Sequence, residues 1–103
     1  MKVFADEIID CAAATVKTLT AATYAPPNST TVSTRATVTN VSTTGADSAV
    51  LVRFISNPTT GPSVGRRLLV NESIVLESFE DIQNCKLLLE GAVSARIHVA
   101  YSR

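Results

Sequence analysis

The 103-residue sequence has no Trp, one His, two Cys, four Gly and four Pro, and each scarcity excludes a class of function. A zinc or iron centre needs several His and Cys ligands at close spacing, and His98, Cys11 and Cys85 are scattered singly. A nucleophile–base pair would have to bring His98 to one of those thiols, with a third group to orient it, and nothing local provides this. Two acidic groups, Asp6/Glu7/Asp10 and Glu77/Glu80/Asp81, offer hard oxygen donors but lack the loop spacing and glycine of a calcium motif. Gly61 to Arg67 contains two glycines and a basic pair but not the Lys-Ser/Thr ending of a phosphate-binding loop. The expectation is a protein without catalytic, metal or cofactor residues.

Charge of one sign is also lacking. Nine Lys and Arg balance nine Asp and Glu, and only Arg66-Arg67 are adjacent basic residues, so the clustered cations that coat a phosphate backbone or a lipid surface are absent. No run approaches the roughly 20 apolar residues of a membrane span. Asp6, Glu7 and Asp10 interrupt the apolar stretch that a signal peptide would need, so the expected setting is a reducing cytoplasm. There the two cysteines act as small buried hydrophobes rather than a disulfide. The Asn-x-Ser/Thr triplets at Asn28, Asn40 and Asn71 follow by chance from the abundance of Ser and Thr.

What is present is Thr, Ser, Ala and Val. Charged residues make up 17% of the chain against about 25% in an average domain, and hydroxylated β-branched side chains fill the gap. These are stiff at χ1 and suit a pleated backbone. Such a composition predicts β structure with a thin core of Val, Ile and Leu, one that gains from a partner.

Residues 1–14 mix apolar and acidic positions without clean period and read as an N-terminal arm or edge segment; residues 15–103 read as the domain. Ala14–Thr20 is a weak strand, and Ala25–Ser29 a loop because of its two prolines. In Val32–Val41, Val32, Ala36 and Val38 share a face, with a register change at Asn40–Val41. Ser42–Asp47 is a hairpin connection. Ser48–Ile55 is apolar on both faces, hence central or at an interface. Asn57–Pro62 is a surface loop and Arg66–Val70 a short strand. Asn71-Glu72 form a tight turn, Asn tolerating a left-handed backbone. Ser73–Ser78 turns Ile74 and Leu76 one way and Val75 and Glu77 the other. Phe79–Asn84 is one turn crossing between sheets, Cys85–Glu90 a strand, and Ala95, Ile97, Val99 and Tyr101 the inward face of a closing strand. Seven to eight short strands at this spacing predict an all-β, single-domain antiparallel β-sandwich or jelly-roll-like barrel.

The second half, from Leu68 through the Glu72-Ser73-Ile74-Val75-Leu76 run to the closing Ala95–Tyr101 strand, resembles small β-sandwich virion structural proteins of tailed bacteriophages, the decoration and head-fibre-base modules. Val70-Asn71 stands where such proteins often carry Pro-Gly. The resemblance implies a virion protein made in the host cytoplasm, a homo-oligomer with a trimer favoured. Its expected partner is the major capsid protein or another virion protein, with no nucleic acid or membrane involved. Alternatives are a tail, baseplate or fibre-attachment adaptor and, from another class, a carbohydrate-binding adhesin. Such an adhesin stacks sugars on exposed aromatics, and this chain has only Tyr24 and Tyr101 besides three Phe. The candidate interface residues are Val3, Phe4, Ile8 and Ile9 in the N-terminal segment, Leu51, Arg53 and Ile55 in the doubly apolar strand, and the Arg66-Arg67 pair.

Overall fold

The structure, a computed structural model, describes residues 3–12, 15–27, 32–43, 49–54, 59–60, 63–90 and 94–103. Among these, two four-stranded antiparallel sheets face each other. The first contains β1 (Val3–Cys11), β10 (Ala95–Ser102), β3 (Arg35–Asn40) and β8 (Ser73–Leu76), in that spatial order. The second contains β2 (Val16–Thr18), β9 (Cys85–Leu89), β4 (Val50–Phe54) and β7 (Arg66–Leu68). The pairs β1–β10, β2–β9, β3–β8 and β4–β7 are nested, first with last and inward to the centre. That is a long antiparallel hairpin rolled over on itself, and β10–β3 and β4–β9 close the roll. The architecture is an eight-stranded jelly-roll sandwich.

Alternation builds the core. Ala36 and Val38 of β3, Ile74 and Leu76 of β8, and Ala95, Ile97, Val99 and Tyr101 of β10 point inward. They meet Val50 and Val52 of β4, Leu68 of β7, and Cys85, Leu87 and Leu89 of β9. Ile9 and Cys11 of β1 join them, so Val3–Cys11 is an edge strand paired with β10 along its length. Phe4 is an extra residue, a bulge between Val3↔Ser102 and Ala5↔Tyr101. Both cysteines are buried and free.

Two short helices cross between the sheets. α1 (Ala21–Tyr24) follows β2, and α2 (Phe79–Asn84) carries the chain from β8 to β9, with Ser78 Oγ accepting the amide of Asp81 at 3.1 Å as its cap. Ile82 is fully buried beneath α2. Tyr24 lies edge-on to Phe79 at 5.8 Å between ring centres and tilted to Tyr101 at 5.9 Å, which seals that end of the sandwich with aromatic area.

In three places the structure departs from the sequence reading. Part of the loop expected over Asn57–Pro62 is a two-stranded ladder, β5 (Thr59–Thr60) with β6 (Ser63–Val64); Asn57, Pro58, Gly61 and Pro62 lie outside the described residues, as do Thr44–Asp47 of the expected hairpin connection. A helical turn stands at Ala21–Tyr24, closed by Ala25 N donating to Ala21 O at 2.8 Å; four residues are too few to leave a periodic signature. The expected register change at Asn40 does not occur. Asn40 stays on the inner face, fully buried, because its amide is satisfied there. Nδ2 donates to Leu68 O at 3.0 Å, and Oδ1 accepts from Ser42 N at 3.1 Å and Ser42 Oγ at 2.6 Å. Its backbone donates to Glu72 O at 3.0 Å and accepts from Asn71 N at 2.8 Å. Ser42 Oγ in turn accepts from Arg96 N at 2.9 Å. One buried amide thereby ties β3 of the first sheet to β7 of the second and to the turn that joins β7 to β8.

That turn contains Asn71 at φ 70°, the left-handed conformation expected from the sequence. Replacing Asn40 with Ala strands Leu68 O and the Ser42 hydroxyl in a dry site, an expected cost of about 2–3 kcal/mol. A thermal melt should then shift down by more than about 10 °C. Asn71→Gly should leave the melting temperature nearly unchanged, whereas Asn71→Val should cost about 1–2 kcal/mol, measured by the same melts.

Candidate interaction faces

The two sheets present unlike outer surfaces. On the first, the side chains opposite the core form cross-strand rows: Ile8, His98, Thr39 and Ser73 in one, and Asp6, Ala100, Thr37 and Val75 in the next. Thr39 Oγ1 and Ser73 Oγ share a hydrogen bond at 2.8 Å. Two carboxylates on this face meet partners within it: Asp6 Oδ2 lies 3.0 Å from His98 Nε2, and Asp10 Oδ1 accepts from Arg96 Nε at 3.3 Å; half-buried Arg35 shares the side of Thr37 and Thr39 on β3. Ile8 and Val75 stand exposed at its two margins. The result is an open face of small, β-branched and hydroxylated side chains.

On the second sheet the outward residues are Leu51 and Arg53 of β4, Lys86 and Leu88 of β9, Val16 and Thr18 of β2, and Arg67 of β7. Leu51 is 1% and Leu88 6% exposed, outside the main core cluster. Arg67 pairs with Glu90, Nε to Oε1 at 2.7 Å and Nη2 to Oε2 at 2.8 Å. This face is basic and closed over its leucines.

The candidate residues are distributed accordingly. Val3 and Ile8 are exposed at 57% and 51%, and Phe4 is half-buried at the bulge. Ile9 belongs to the core, since alternation from the outward Ile8 turns it inward. Leu51 is buried, which makes it a packing residue in this chain by itself. Arg53 is half-buried, while Arg66 and Arg67 are exposed on β7. Ile55 lies outside the described residues. The structure therefore brings Val3, Phe4 and Ile8 together on one edge and separates them from the β4 and β7 residues, which belong to the other sheet.

The polar cluster under β1 leaves no sign in the sequence. Glu7 points inward, and its carboxylate accepts from the Tyr101 hydroxyl at 2.6 Å, from Thr20 Oγ1 at 2.6 Å and from Thr20 N at 3.2 Å. An inward carboxylate beside an outward isoleucine inverts the usual pattern, so residues 1–14 show no clean period. The same alternation disperses the acidic group: Asp6 and Asp10 face out and Glu7 faces in. Among the described residues no three His, Cys, Asp or Glu side chains converge as metal ligands. A depression of about 180 Å³ lies where β1 ends and β10 begins, lined by Asp10, Val41, Ser42, Thr43, Ser94 and Arg96. Its guanidinium and its carboxylate already engage each other, and Ser42 already bonds to Asn40.

Burial pushes the Cys11 thiol up to about 11, with the ammonium of Lys17 opposing and Asp10 adding to the shift. Burial, with Asp81 adding, pushes Cys85 up to about 12. Tyr101 is raised by burial, then by its bond to Glu7, and Tyr24 by burial and then by Glu7. In every case the folded state holds its proton more tightly than the unfolded chain. Stability is therefore fully present below pH 9.0, the ordinary thiol value, and is lost as pH rises through 11 and 12. Urea midpoints should be flat below pH 9.0 and fall above it. The Cys11→Ala/Cys85→Ala double variant should move the onset to the tyrosine range near 10.0, and native wild-type protein should react with Ellman's reagent only after denaturation.

Comparison of the chain with protein-family models, curated proteins and solved structures gives no match.

Proposed function

We propose that the protein is a non-enzymatic virion structural component, a decoration protein that binds the outer surface of an assembled phage head through the outer face of the first sheet. The observation that carries this reading is that face: small and hydroxylated, built from half-buried Thr37, Thr39 and Ala100 and exposed Ser73 and Val75, with the carboxylates of Asp6 and Asp10 held against His98 and Arg96. A surface of this kind suits a component present in many copies on a lattice, where uncompensated charge would repel at every repeat. The resemblance of the second half to phage decoration modules supports the same assignment and adds a homo-oligomer, with a trimer favoured.

Jelly rolls occur in viral capsid proteins, lectins and cupins, and fold alone does not choose among them. The disposition of side chains favours the capsid reading. Cupin-like chemistry would draw on imidazoles inside the barrel, and the single histidine here, His98, stands on the outer face. Sugar stacking would use a platform of exposed aromatics; both tyrosines are buried, and Phe54 stands exposed by itself among the described aromatic side chains. A tail or baseplate adaptor remains the second reading within virions and is separated by copy number. No helix among the described residues is long and apolar enough to cross a membrane.

The test is co-sedimentation with shells of the major capsid protein encoded beside it, with bound copies counted. Saturation at a fixed ratio to capsid subunits is the expected result. Thr37→Arg/Ala100→Glu, which crowds the face with a directly opposed pair of long side chains while leaving the core untouched, should weaken binding at least tenfold with little change in the melt. Binding of only a ring's worth of copies would move the assignment to a tail adaptor, and undiminished binding by the double variant would remove this face from the contact.

A further inference from the structure

Among the described residues β1 is the longest strand and has a ladder partner on one side alone. Its free edge therefore presents a row of backbone donors and acceptors on which another strand can pair. Two features confine where that can happen. The bulge at Phe4 breaks the regular ladder near the beginning of the strand, and Thr20 approaches β1 through the inward Glu7 side chain. What stays regular and outward is Asp6, Ile8 and Asp10, with Ile8 51% exposed and the two carboxylates 67% and 72%.

The chemistry of this edge selects its occupant. Each Asp engages a β10 side chain through one oxygen, Oδ2 of Asp6 with His98 and Oδ1 of Asp10 with Arg96, which leaves the second oxygen to a group on the open side. A cation opposite each carboxylate would continue the alternation of charge already present in the Arg96–Asp10 row, and opposite charges across paired strands stabilise. An apolar side chain between those cations would lie against Ile8. A second copy of the chain does not fit: antiparallel pairing centred on Ile8 sets Asp6 of each copy against Asp10 of the other, and parallel pairing in register sets Asp against Asp.

We propose that the outer edge of β1 accepts an extended segment of a different protein, one that carries Lys or Arg on both sides of an apolar residue at alternate positions, and binds it by strand addition. This goes beyond the decoration reading and is independent of it, since it concerns an edge rather than a sheet face and is read without shells.

The probe is a labelled nine-residue peptide with Lys-Thr-Val-Thr-Lys at its centre, titrated into the full-length protein by fluorescence anisotropy, with amide shifts followed by NMR. Saturable binding with the largest shifts in residues 5–11 is the expected result. A peptide with Glu in place of both Lys, and one N-methylated at alternate backbone nitrogens, should each bind at least tenfold more weakly. Asp6→Asn/Asp10→Asn should weaken the Lys peptide about tenfold and leave the Glu peptide no worse, a contrast that a misfolded variant would not give. Equal binding of both charge forms, shifts centred on Thr37 and Thr39, absence of binding, or a β1-mediated dimer in sedimentation would each overturn the proposal.

Discussion

The first and last strands of this protein lie side by side, and the fold depends on that contact. β10 is paired with β1 on one flank and with β3 on the other, so Ala95–Ser102 is the spine of the first sheet, and its inward Ile97, Val99 and Tyr101 are completely buried. The other nested pairs, β2 with β9, β3 with β8 and β4 with β7, lie inside that contact and close progressively shorter loops. Burial of the small aliphatic core offsets the entropy of closing those long loops. The core is thin, as the composition requires, and the aromatic trio of Tyr24, Phe79 and Tyr101 closes one end of it.

Polar groups inside this core act as fasteners between elements that hydrophobic packing alone would leave free to slide. Asn40 and Ser42 join the sheets at one end of the sandwich. At the other, Ser33 donates its amide to Tyr24 O at 2.8 Å, and its Oγ lies 2.8 Å from Arg35 O and 3.0 Å from Ser102 O. Glu7 gathers Tyr101 and Thr20 between them. Among the described residues no buried side-chain polar atom lacks a partner, so these groups escape the penalty of dry, unpaired burial and specify a single register instead. The outer face of the first sheet follows from the same economy: with the inward positions committed to packing and fastening, its outward rows are left to Thr, Ser, Ala and a few charges.

Where alternation was uncompromised, the sequence was legible in detail. Ile74 and Leu76 against Val75, and Ala95 through Tyr101 against Arg96 and His98, point as the period of two requires, and Asn71 adopts its left-handed turn. Phe79–Asn84 crosses between the sheets, with Ser78 capping it. Val50–Phe54 is a central strand between β9 and β7, in keeping with its two apolar faces. Legibility failed where a polar residue faces inward or an apolar one outward. Asn40 read as a register change and Glu7 as part of an arm, because the hydrogen bonds that make each tolerable come from residues far along the chain, Leu68 and Tyr101. The candidate face was missed for a related reason: Thr37, Thr39, Ser73 and Ala100 are unremarkable one by one and become a surface only when three strands are set in register.

The all-β class, the faces of most strands, the left-handed turn at Asn71 and the burial of the two cysteines were readable from the sequence, since these rest on local backbone preference and on the period of side-chain exposure. Tertiary structure alone decided which strands are neighbours, that Val3–Cys11 is an edge strand, that Ile9 and Leu51 are packing residues, and which outward rows combine into a face. Those outcomes depend on pairings far apart in the chain, 94 positions between Glu7 and Tyr101 and more between Val3 and Ser102, and such contacts leave no periodic trace in either of the segments they join.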